Sequence, residues 1–305
     1  MSLYRVLRSS TKLEAFTVEA ASQAEAIDMC AALPGELIGA SALYDAQTAS
    51  PPKAKIGPQG FGFYLRRISG GTEAAQALLQ RCREAKAEWV SFMVEASDGY
   101  TVSIEAIQAY AAVLSPEIDL WVWTFPGDAR AASVAQSTAA ANQALNYCMA
   151  IGAGGVMLDI EASYKGHPEA LDALISTTKA GLSNNRTLGM VSYPIPSYHP
   201  TLAWDLFKKA DWGSPMLYNT AGTQEGVDQS VSEWTKLLPT LVPSMATYDT
   251  TSPGTGAAQL NGDIQRILGG PPAAFNGAAI WSEQSTDSAQ RAVMAEWSTR
   301  YGWWT

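Results

Sequence analysis

Histidine and cysteine are scarce in this 305-residue chain, which has two histidines and three cysteines. His167 and His199 are too few for a His-rich metal site. Cys30, Cys82 and Cys148 lie far apart, with neither a CxxC pair nor a zinc spacing, and they are interpreted as buried free thiols. The sequence therefore predicts no metal and no cofactor, and a metal-dependent hydrolase is the weakest of the functional alternatives.

Long apolar runs are missing, and charged residues are few. No stretch approaches the roughly 20 apolar residues of a membrane span. The N-terminal sequence lacks the unbroken apolar core of a signal peptide. The formal net charge of -9 argues against nucleic acid or an anionic membrane as the main partner. We therefore expect no membrane insertion, and a protein that acts where it is made or is exported by another route.

A short apolar strand recurs eight times after residue 60, and a predicted Ala-rich helix follows every one of these strands but the fifth. The predicted strands cover residues 60–65, 89–94, 119–125, 154–161, 187–193, 212–218, 241–248 and 276–282, and the helices cover 72–86, 103–114, 129–151, 168–180, 229–238, 257–268 and 285–301. Alternating strands and helices predict a parallel sheet, and eight units predict its closure into an α/β (β/α)8 TIM barrel. A doubly wound open sheet is the alternative, which the lack of a Gly-rich loop after the first strand disfavours.

The residues before the barrel form a separate predicted unit. Two short strands precede a helix that starts at Ser22, where Glu25 completes a capping-box spacing, and a third strand follows. A proline-bearing stretch with the composition of a linker comes next. The predicted domains are a small α+β module over 1–47, a linker over 48–59 and the barrel over 60–305. The module either packs on the barrel or serves in docking, including self-association.

The candidate chemistry lies at the end of the fourth predicted strand, because barrel enzymes bind ligands where strands end. Met157, Asp159 and Glu161 alternate with apolar residues and share the face toward the barrel axis. Two inward carboxyls in partly dry surroundings raise each other's pKa, a property that a general acid needs. Glu161, nearest the mouth, is the predicted acid and Asp159 the stabiliser. A structural pair held by a barrel arginine or lysine is the alternative.

Aromatic and polar side chains end most of the other predicted strands. They are Tyr64 or Arg66, Glu95, Trp121, Trp123, Phe125, Tyr193, Tyr198, His199, Met216, Tyr218, Asn219, Trp281, Ser282 and Glu283. Aromatic platforms beside a few carboxylates suit the apolar faces and hydroxyl edges of sugar rings. Trp121 and Met216 are equally well interpreted as core.

Three of these segments carry a resemblance to a known superfamily. GGVMLDIE resembles the DGxDxDxE motif of family 18 chitinases and endo-N-acetylglucosaminidases, and SPMLYN and GAAIWSE resemble their sixth- and eighth-strand motifs. The resemblance implies that Glu161 is the acid, that Asp159 steadies an N-acetyl group, and that Tyr218 and Trp281 line the same subsite. The DxE alone also resembles the family 25 lysozymes. Met157 departs from the motif, since it replaces the Asp that partners the middle carboxylate.

A closer resemblance is to glycoside-hydrolase-like barrels of phages and actinobacteria. Residues 159–166, 192–204 and 280–282 are similar to their strings DAEAEYEG, SSYxYPSxHPxxPW and F-W-S. This resemblance adds Tyr164, Tyr193 and His199 as site candidates. It spans most of residues 60–285 but not residues 1–50, and it implies a cell-wall or exopolysaccharide substrate. Separately, we expect a location in a phage virion or in the cytoplasm of the producing cell, with residues 1–47 available for virion association.

Together these features predict a glycoside hydrolase that cleaves O-glycosidic bonds in a cell-wall or N-acetylated polysaccharide such as peptidoglycan. The catalytic residues are Glu161 and Asp159. The predicted substrate-binding residues are Tyr218, Trp281, Tyr193, His199, Tyr164, Trp123, Asn219, Glu283, Glu95 and Arg66. A non-catalytic carbohydrate-binding or structural, virion-associated barrel is the alternative, because fold alone does not fix function.

Overall fold

The structure, a computed structural model, describes residues 2–9, 14–20, 36–45, 56–183, 185–218, 223–247, 256–268 and 275–301. The chain divides into two compact units, Met1–Ala54 and Lys55–Thr305. In the described part of the chain, no helix is both long enough and apolar enough to cross a membrane.

The first unit contains an antiparallel sheet of β1 (Ser2–Ser9), β2 (Glu14–Ala20) and β3 (Glu36–Asp45). The central strand is β1, which pairs with both β2 and β3. All three strands extend beyond the bounds predicted from the sequence, which were Tyr4–Leu7, Ala15–Val18 and Leu37–Leu43. The predicted helix at Ser22 and most of the predicted linker lie outside the described residues, so the linker boundaries stay a prediction.

The second unit is a parallel barrel of eight strands. They are β4 (Gly60–Leu65), β5 (Trp89–Glu95), β6 (Asp119–Thr124), β7 (Gly155–Asp159), β8 (Thr187–Ser192), β9 (Trp212–Pro215), β10 (Ser244–Ala246) and β11 (Gly277–Trp281). Strand β11 pairs with β4, and β4 to β9 then follow in sequence order. Parallel bridges Gly213–Leu241 and Met216–Ser244 join β9 to β10 and close the ring. The (β/α)8 barrel is therefore confirmed, and the open-sheet alternative is wrong.

An α-helix follows each barrel strand except β8, which is followed by 3-10 turns over Pro196–Tyr198 and Trp204–Lys209. The helices are α1 (Thr72–Ala85), α2 (Ile104–Leu114), α3 (Asp128–Ala131), α4 (Val134–Ala150), α5 (Pro168–Gly181), α6 (Gln224–Trp234), α7 (Gly256–Leu268) and α8 (Ser288–Tyr301). The predicted helix 129–151 is split in two, because the Ser133 side chain accepts a hydrogen bond from the Gln136 N–H and starts α4 afresh. Helix α6 starts earlier than predicted, since Thr223 caps it in the same way.

Tryptophans fill the inside of the barrel. Trp89, Trp121, Trp123 and Trp212 belong to an interior cluster that also contains Met157. Strand glycines make room for the indoles: a Cβ at Gly62 would lie 1.9 Å from the Trp89 ring, and one at Gly189 would lie 2.2 Å from the Trp212 ring. The interior is therefore a packed core that leaves space for a ligand at the mouth of the barrel.

Two buried thiols lie in the outer layer, between strands and helices. Cys82 and Cys148 are free and buried, as predicted. Burial raises the pKa of both thiols, that of Cys148 to about 11. Such thiols are protonated at neutral pH and behave as small apolar groups. Cys30 lies outside the described residues.

Asp263 is a buried carboxyl of α7 that should make stability depend on pH. Arg266 contacts it at 3.0 Å, yet burial raises the pKa of Asp263 to about 6. A carboxyl whose pKa is higher in the folded state stabilises the fold below its unfolded pKa, and this contribution is lost as pH rises from about 4 through 6. We expect Asp263→Asn to be more stable than wild type by about 1–3 kcal/mol at pH 8, with little difference at pH 4.

Thermal melting of wild type and Asp263→Asn at both pH values measures this difference. Asp205→Asn is the matched control, because Asp205 is exposed and contacts Lys208 at the surface. An equal change at the two pH values would show that Asp263 does not titrate in this range.

Candidate active site

The acidic pair lies at the carboxyl end of β7. Met157 packs in the barrel interior, whereas Leu158 and Ile160 pack in the outer core against the helices. The predicted alternation along this strand is therefore confirmed. Asp159 is the last residue of β7, and Glu161 begins a 3-10 turn over Ala162–Tyr164.

Burial dominates the electrostatics of the pair. Asp159 is only 7% exposed, and its Oδ1 has no hydrogen-bond partner in the described part of the chain. Burial raises the pKa of Asp159 well above its usual value, and the charge of Glu161 raises it further. Burial also raises the pKa of Glu161, which the Lys165 ammonium lowers. The pair therefore holds a proton at a higher pH than two solvated carboxyls would.

The charges that act on each carboxyl differ from the sequence-based expectation. The alternation pattern predicted that Asp159 would raise the pKa of Glu161. In the structure the charge of Glu161 adds to the effect of burial on Asp159, whereas the Lys165 ammonium lowers the pKa of Glu161 against the effect of burial. The two carboxyls therefore titrate as an interacting pair, of which Glu161 is the member nearer the mouth.

A cleft of about 260 Å³ opens above the pair at the carboxyl ends of the strands. It is lined by Arg66, Met93, Ala96, Ser97, Asp98, Trp123, Phe125, Asp159, Glu161, Met216, Tyr218 and Trp281. Six of the predicted site residues line it: both acids, Arg66, Trp123, Tyr218 and Trp281. A larger, more open groove of about 610 Å³ lies outside the barrel beside α5 and contains none of the predicted site residues.

Trp123 and Trp281 form the aromatic floor of the cleft, and Tyr64 supports both rings from inside the barrel. Trp281 packs edge-on against Trp123, with ring centroids 5.2 Å apart, and it also contacts Tyr64 at 6.0 Å. Tyr64 in turn packs edge-on against Trp123 at 5.4 Å. Edge-to-face packing fixes each ring relative to the others. The floor is therefore a rigid apolar surface beside two carboxyls, an arrangement that suits a sugar ring.

Tyr193, His199 and Lys165 form a rim cluster beside the acids. The rings of Tyr193 and His199 stack at 3.7 Å. The Lys165 Nζ lies 3.0 Å from the His199 Nδ1 and 4.6 Å from the centre of the Tyr193 ring. Burial raises the pKa of Tyr193, and Glu161 and Asp159 add to the rise. Tyr193 and His199 thus lie near the acids but not among the residues that line the cleft.

Glu95 is turned away from the cleft by a β-bulge. The register of β5 against β6 shifts between Met93 and Glu95, so the alternation of side chains changes there. Ala96 takes the inward position, and the Glu95 carboxylate contacts the Arg130 Nε at 2.6 Å. Strict alternation along β5 cannot foresee this change of face.

Two further predicted residues lie outside the cleft, and one cannot be placed. Tyr164 is 1% exposed in the outer core, where its hydroxyl lies 3.1 Å from the Ser137 Oγ. Glu283 is buried and pairs with Arg81 of α1. Asn219 lies outside the described residues. The structure therefore does not bring Tyr164 or Glu283 to the acids, because both point toward helices.

Asp98 and Lys165 are two charged residues near the acids that the sequence reasoning missed. Asp98 lines the cleft, and its carboxylate contacts Arg67 at 2.7 Å. A hydrogen bond from the Tyr100 N–H lowers the pKa of Asp98, and the contact with Arg67 lowers it further. The string EASD after the second strand was the available signal for Asp98. For Lys165, the available signal was its position four residues after Glu161.

No group of three or more His, Cys, Asp or Glu side chains among the described residues is placed to hold a metal ion. The functional groups that line the cleft include carboxyls, aromatic rings and the guanidinium of Arg66.

The barrel fold is similar to that of a spore cortex-lytic enzyme and of chitinases with solved structures. The Bacillus cereus spore cortex-lytic enzyme SleL is similar, with a TM-score of 0.58 and 11% identity over 78% of this chain and 74% of that chain. A GH18 chitinase from Pseudoalteromonas aurantia has a TM-score of 0.57 and 14% identity over 78% of this chain and 99% of that chain. For the catalytic domain of a Pyrococcus furiosus chitinase, the TM-score is 0.57 and the identity 9%, over 80% and 97% of the two chains.

At these low identities, the structural likeness shows the fold alone. No protein-family model matches the sequence, and no curated protein matches it.

Proposed function

We propose that this protein is a glycoside hydrolase that cleaves O-glycosidic bonds in an N-acetylated cell-wall polysaccharide such as peptidoglycan. The single observation that carries the proposal is the pair Asp159 and Glu161, whose pKa values are both raised, beside a rigid aromatic floor. The structural neighbours, which are chitinases and a spore cortex-lytic enzyme, support the same substrate class.

Each side chain has a role in this proposal. Glu161, nearer the mouth, donates a proton to the leaving glycosidic oxygen as the bond breaks. Asp159 lies behind it and also lines the cleft, where its carboxyl contacts a polar substituent of the substrate. Trp281 and Trp123 hold the apolar face of the sugar, and Tyr218 and Arg66 supply polar edges.

The test of the proposal is release of reducing ends from chitin oligomers and from purified peptidoglycan, measured over a range of pH. Wild type should release them. The matched control is Glu169→Gln, since Glu169 is an exposed carboxylate of α5 that lines the outer groove rather than the cleft, and it should leave release unchanged. Failure of wild type to cleave any N-acetylated glycan would overturn the proposal.

A non-catalytic carbohydrate-binding barrel is the second candidate, and Met157 favours it. Met157 replaces the carboxylate that partners the middle Asp in the chitinase motif, and one Asp159 oxygen lacks a partner in the described part of the chain. Binding of these glycans with no cleavage would select this candidate.

Trp281→Ala is expected to weaken glycan binding by about 1–3 kcal/mol, because the ring supplies a large contact surface at the cleft. Titration calorimetry with chitin oligomers and peptidoglycan fragments measures the loss. Tyr198→Ala is the control, since the Tyr198 ring is 67% exposed and lies outside the cleft lining. Equal affinity in wild type and Trp281→Ala would mean that Trp281 serves only as core.

A further inference from the structure

A single tight turn connects Glu161 to Lys165. The Tyr164 N–H donates to the Glu161 carbonyl at 3.2 Å, and the Lys165 N–H donates to the Ala162 carbonyl at 3.1 Å. Gly166 then leaves the turn with a φ of +79°, which favours glycine, and its N–H donates to the Thr201 carbonyl at 3.0 Å. The backbone therefore holds Lys165 on the same side of the barrel mouth as Glu161.

Two side chains from the next βα unit hold the Lys165 ammonium. It lies 3.0 Å from the His199 Nδ1 and 4.6 Å from the centre of the Tyr193 ring. Both holders are anchored: the Trp204 Nε1 donates to the His199 carbonyl at 2.9 Å, and the Trp234 Nε1 donates to the Tyr193 carbonyl at 3.1 Å. The ammonium thus has a fixed place, which an ordinary surface lysine does not.

The state of the His199 ring follows from this contact. An ammonium only donates, so the Nδ1 accepts, and the ring hydrogen of the neutral imidazole is on Nε2. Partial burial lowers the pKa of His199, and the Lys165 charge lowers it further. His199 therefore stays neutral and able to accept at neutral pH.

We propose that Lys165, held by His199 and Tyr193, is a positioning residue that acts through the positive charge it presents to Glu161. The proposal rests on the function proposed above, in which Glu161 is the acid. Within the described part of the chain, the ammonium interacts with His199, Tyr193 and Glu161, and Asp159 lies behind Glu161. Lys165 opposes the effect of burial on the Glu161 carboxyl, so it sets the upper pH limit at which Glu161 still holds a proton to donate.

The consequence is a shift in the pH dependence of turnover. A general acid works while protonated, so kcat/KM falls as pH rises through its pKa. Without the ammonium, the Glu161 carboxyl keeps its proton to higher pH. In Lys165→Met, the alkaline limb of the pH profile should therefore move up by about 1 pH unit, the low end for loss of a neighbouring opposite charge.

The activity test compares four chains. Lys165→Met should show the shifted alkaline limb, and Lys165→Arg should return it toward wild type because the charge is kept. Lys208→Met removes a surface lysine that pairs with Asp205, and it should match wild type. A profile for Lys165→Met that is lowered uniformly with its limb unmoved would overturn the proposal, since it would show a merely structural role.

A second test needs no activity, so it separates failure of this proposal from failure of the proposed function. The melting temperature is measured at pH 4 and pH 8 for four variants. They carry neither substitution, Lys165→Met alone, Glu161→Gln alone, or both. All four chains carry His199→Asn, which keeps an acceptor oxygen but does not titrate.

The expected result follows from linkage. Loss of Lys165 raises the folded pKa of Glu161 further, and stability is lost as pH rises through that pKa. Lys165→Met should therefore lower the melting temperature more at pH 8 than at pH 4. The extra loss at pH 8 should vanish when Glu161→Gln is present. An extra loss that persists in the Glu161→Gln background would overturn the proposal, because the lysine would then act on another group.

Discussion

Glu161→Gln is expected to cut turnover by about 10²–10⁴-fold, the usual weight of general acid catalysis. Glutamine keeps the size and hydrogen-bonding shape of the carboxyl but cannot donate the proton that the leaving oxygen needs. Because Glu161 lies beside the cleft rather than in the packed interior, the fold should be retained. Reducing-end release from chitin oligomers and peptidoglycan measures the loss, and the melting temperature and Kd for the glycans check fold and binding.

The pattern of outcomes identifies the acid. Turnover reduced with affinity unchanged supports Glu161 as the proton donor. Turnover equal to that of wild type would place the acid elsewhere, and Asp98 would be tested next, as the remaining carboxylate among the residues that line the cleft. Glu95 and Glu283 are poorer choices, because each is engaged by an arginine outside the cleft.

Asp159→Asn is expected to reduce turnover by about 10²–10³-fold, the scale for removing one group that stabilises charge in the transition state. The carboxylate lies directly behind Glu161, so its loss removes both a negative charge and a site for the shared proton. The same assays measure the change. A variant as active as wild type would show that Asp159 is a structural residue.

The same variant should make stability less dependent on pH. The pKa of Asp159 is higher in the folded state than in the unfolded state. Its neutral carboxyl therefore stabilises wild type below the unfolded pKa of about 4, and this stabilisation is lost as pH rises through the folded pKa. The gain of Asp159→Asn over wild type in melting temperature should therefore be larger at pH 8 than at pH 4, by several degrees. Any pH-independent cost of the buried amide cancels in this comparison. A gain that is the same at both pH values would contradict the buried, titrating carboxyl.

The repeat of eight strand–helix units was sufficient to predict the barrel, and the alternation of side chains along the fourth strand was sufficient to predict the acidic pair. Residues 155–161 are regular, so the inward face of Met157 and Asp159 followed from parity alone. The same reasoning was wrong for Glu95, because a β-bulge changes the face of the strand on which its side chain lies. A bulge depends on pairing with the neighbouring strand, which a single strand's sequence does not show.

Residues beyond strand ends were harder to predict, because their direction depends on turns. Tyr164 turns into the outer core at the end of a 3-10 turn, whereas Lys165, its neighbour, reaches the rim. Helix starts were missed at Ser133 and Thr223, where a hydroxyl cap sets the boundary, because no apolar periodicity marks those residues. The rim cluster brings together three residues from two βα units. Sequence periodicity does not show that residues so far apart in the chain are close in space.

The match between indoles and glycines inside the barrel limits how this chain can vary. Trp89 occupies the space that a side chain at position 62 would need, and Trp212 does the same for position 189. Neither member of such a couple can be replaced alone without a clash or a void. Over evolutionary time, the two residues of each pair are expected to change together or not at all. Related chains with a larger residue at position 62 should therefore carry a smaller one at position 89.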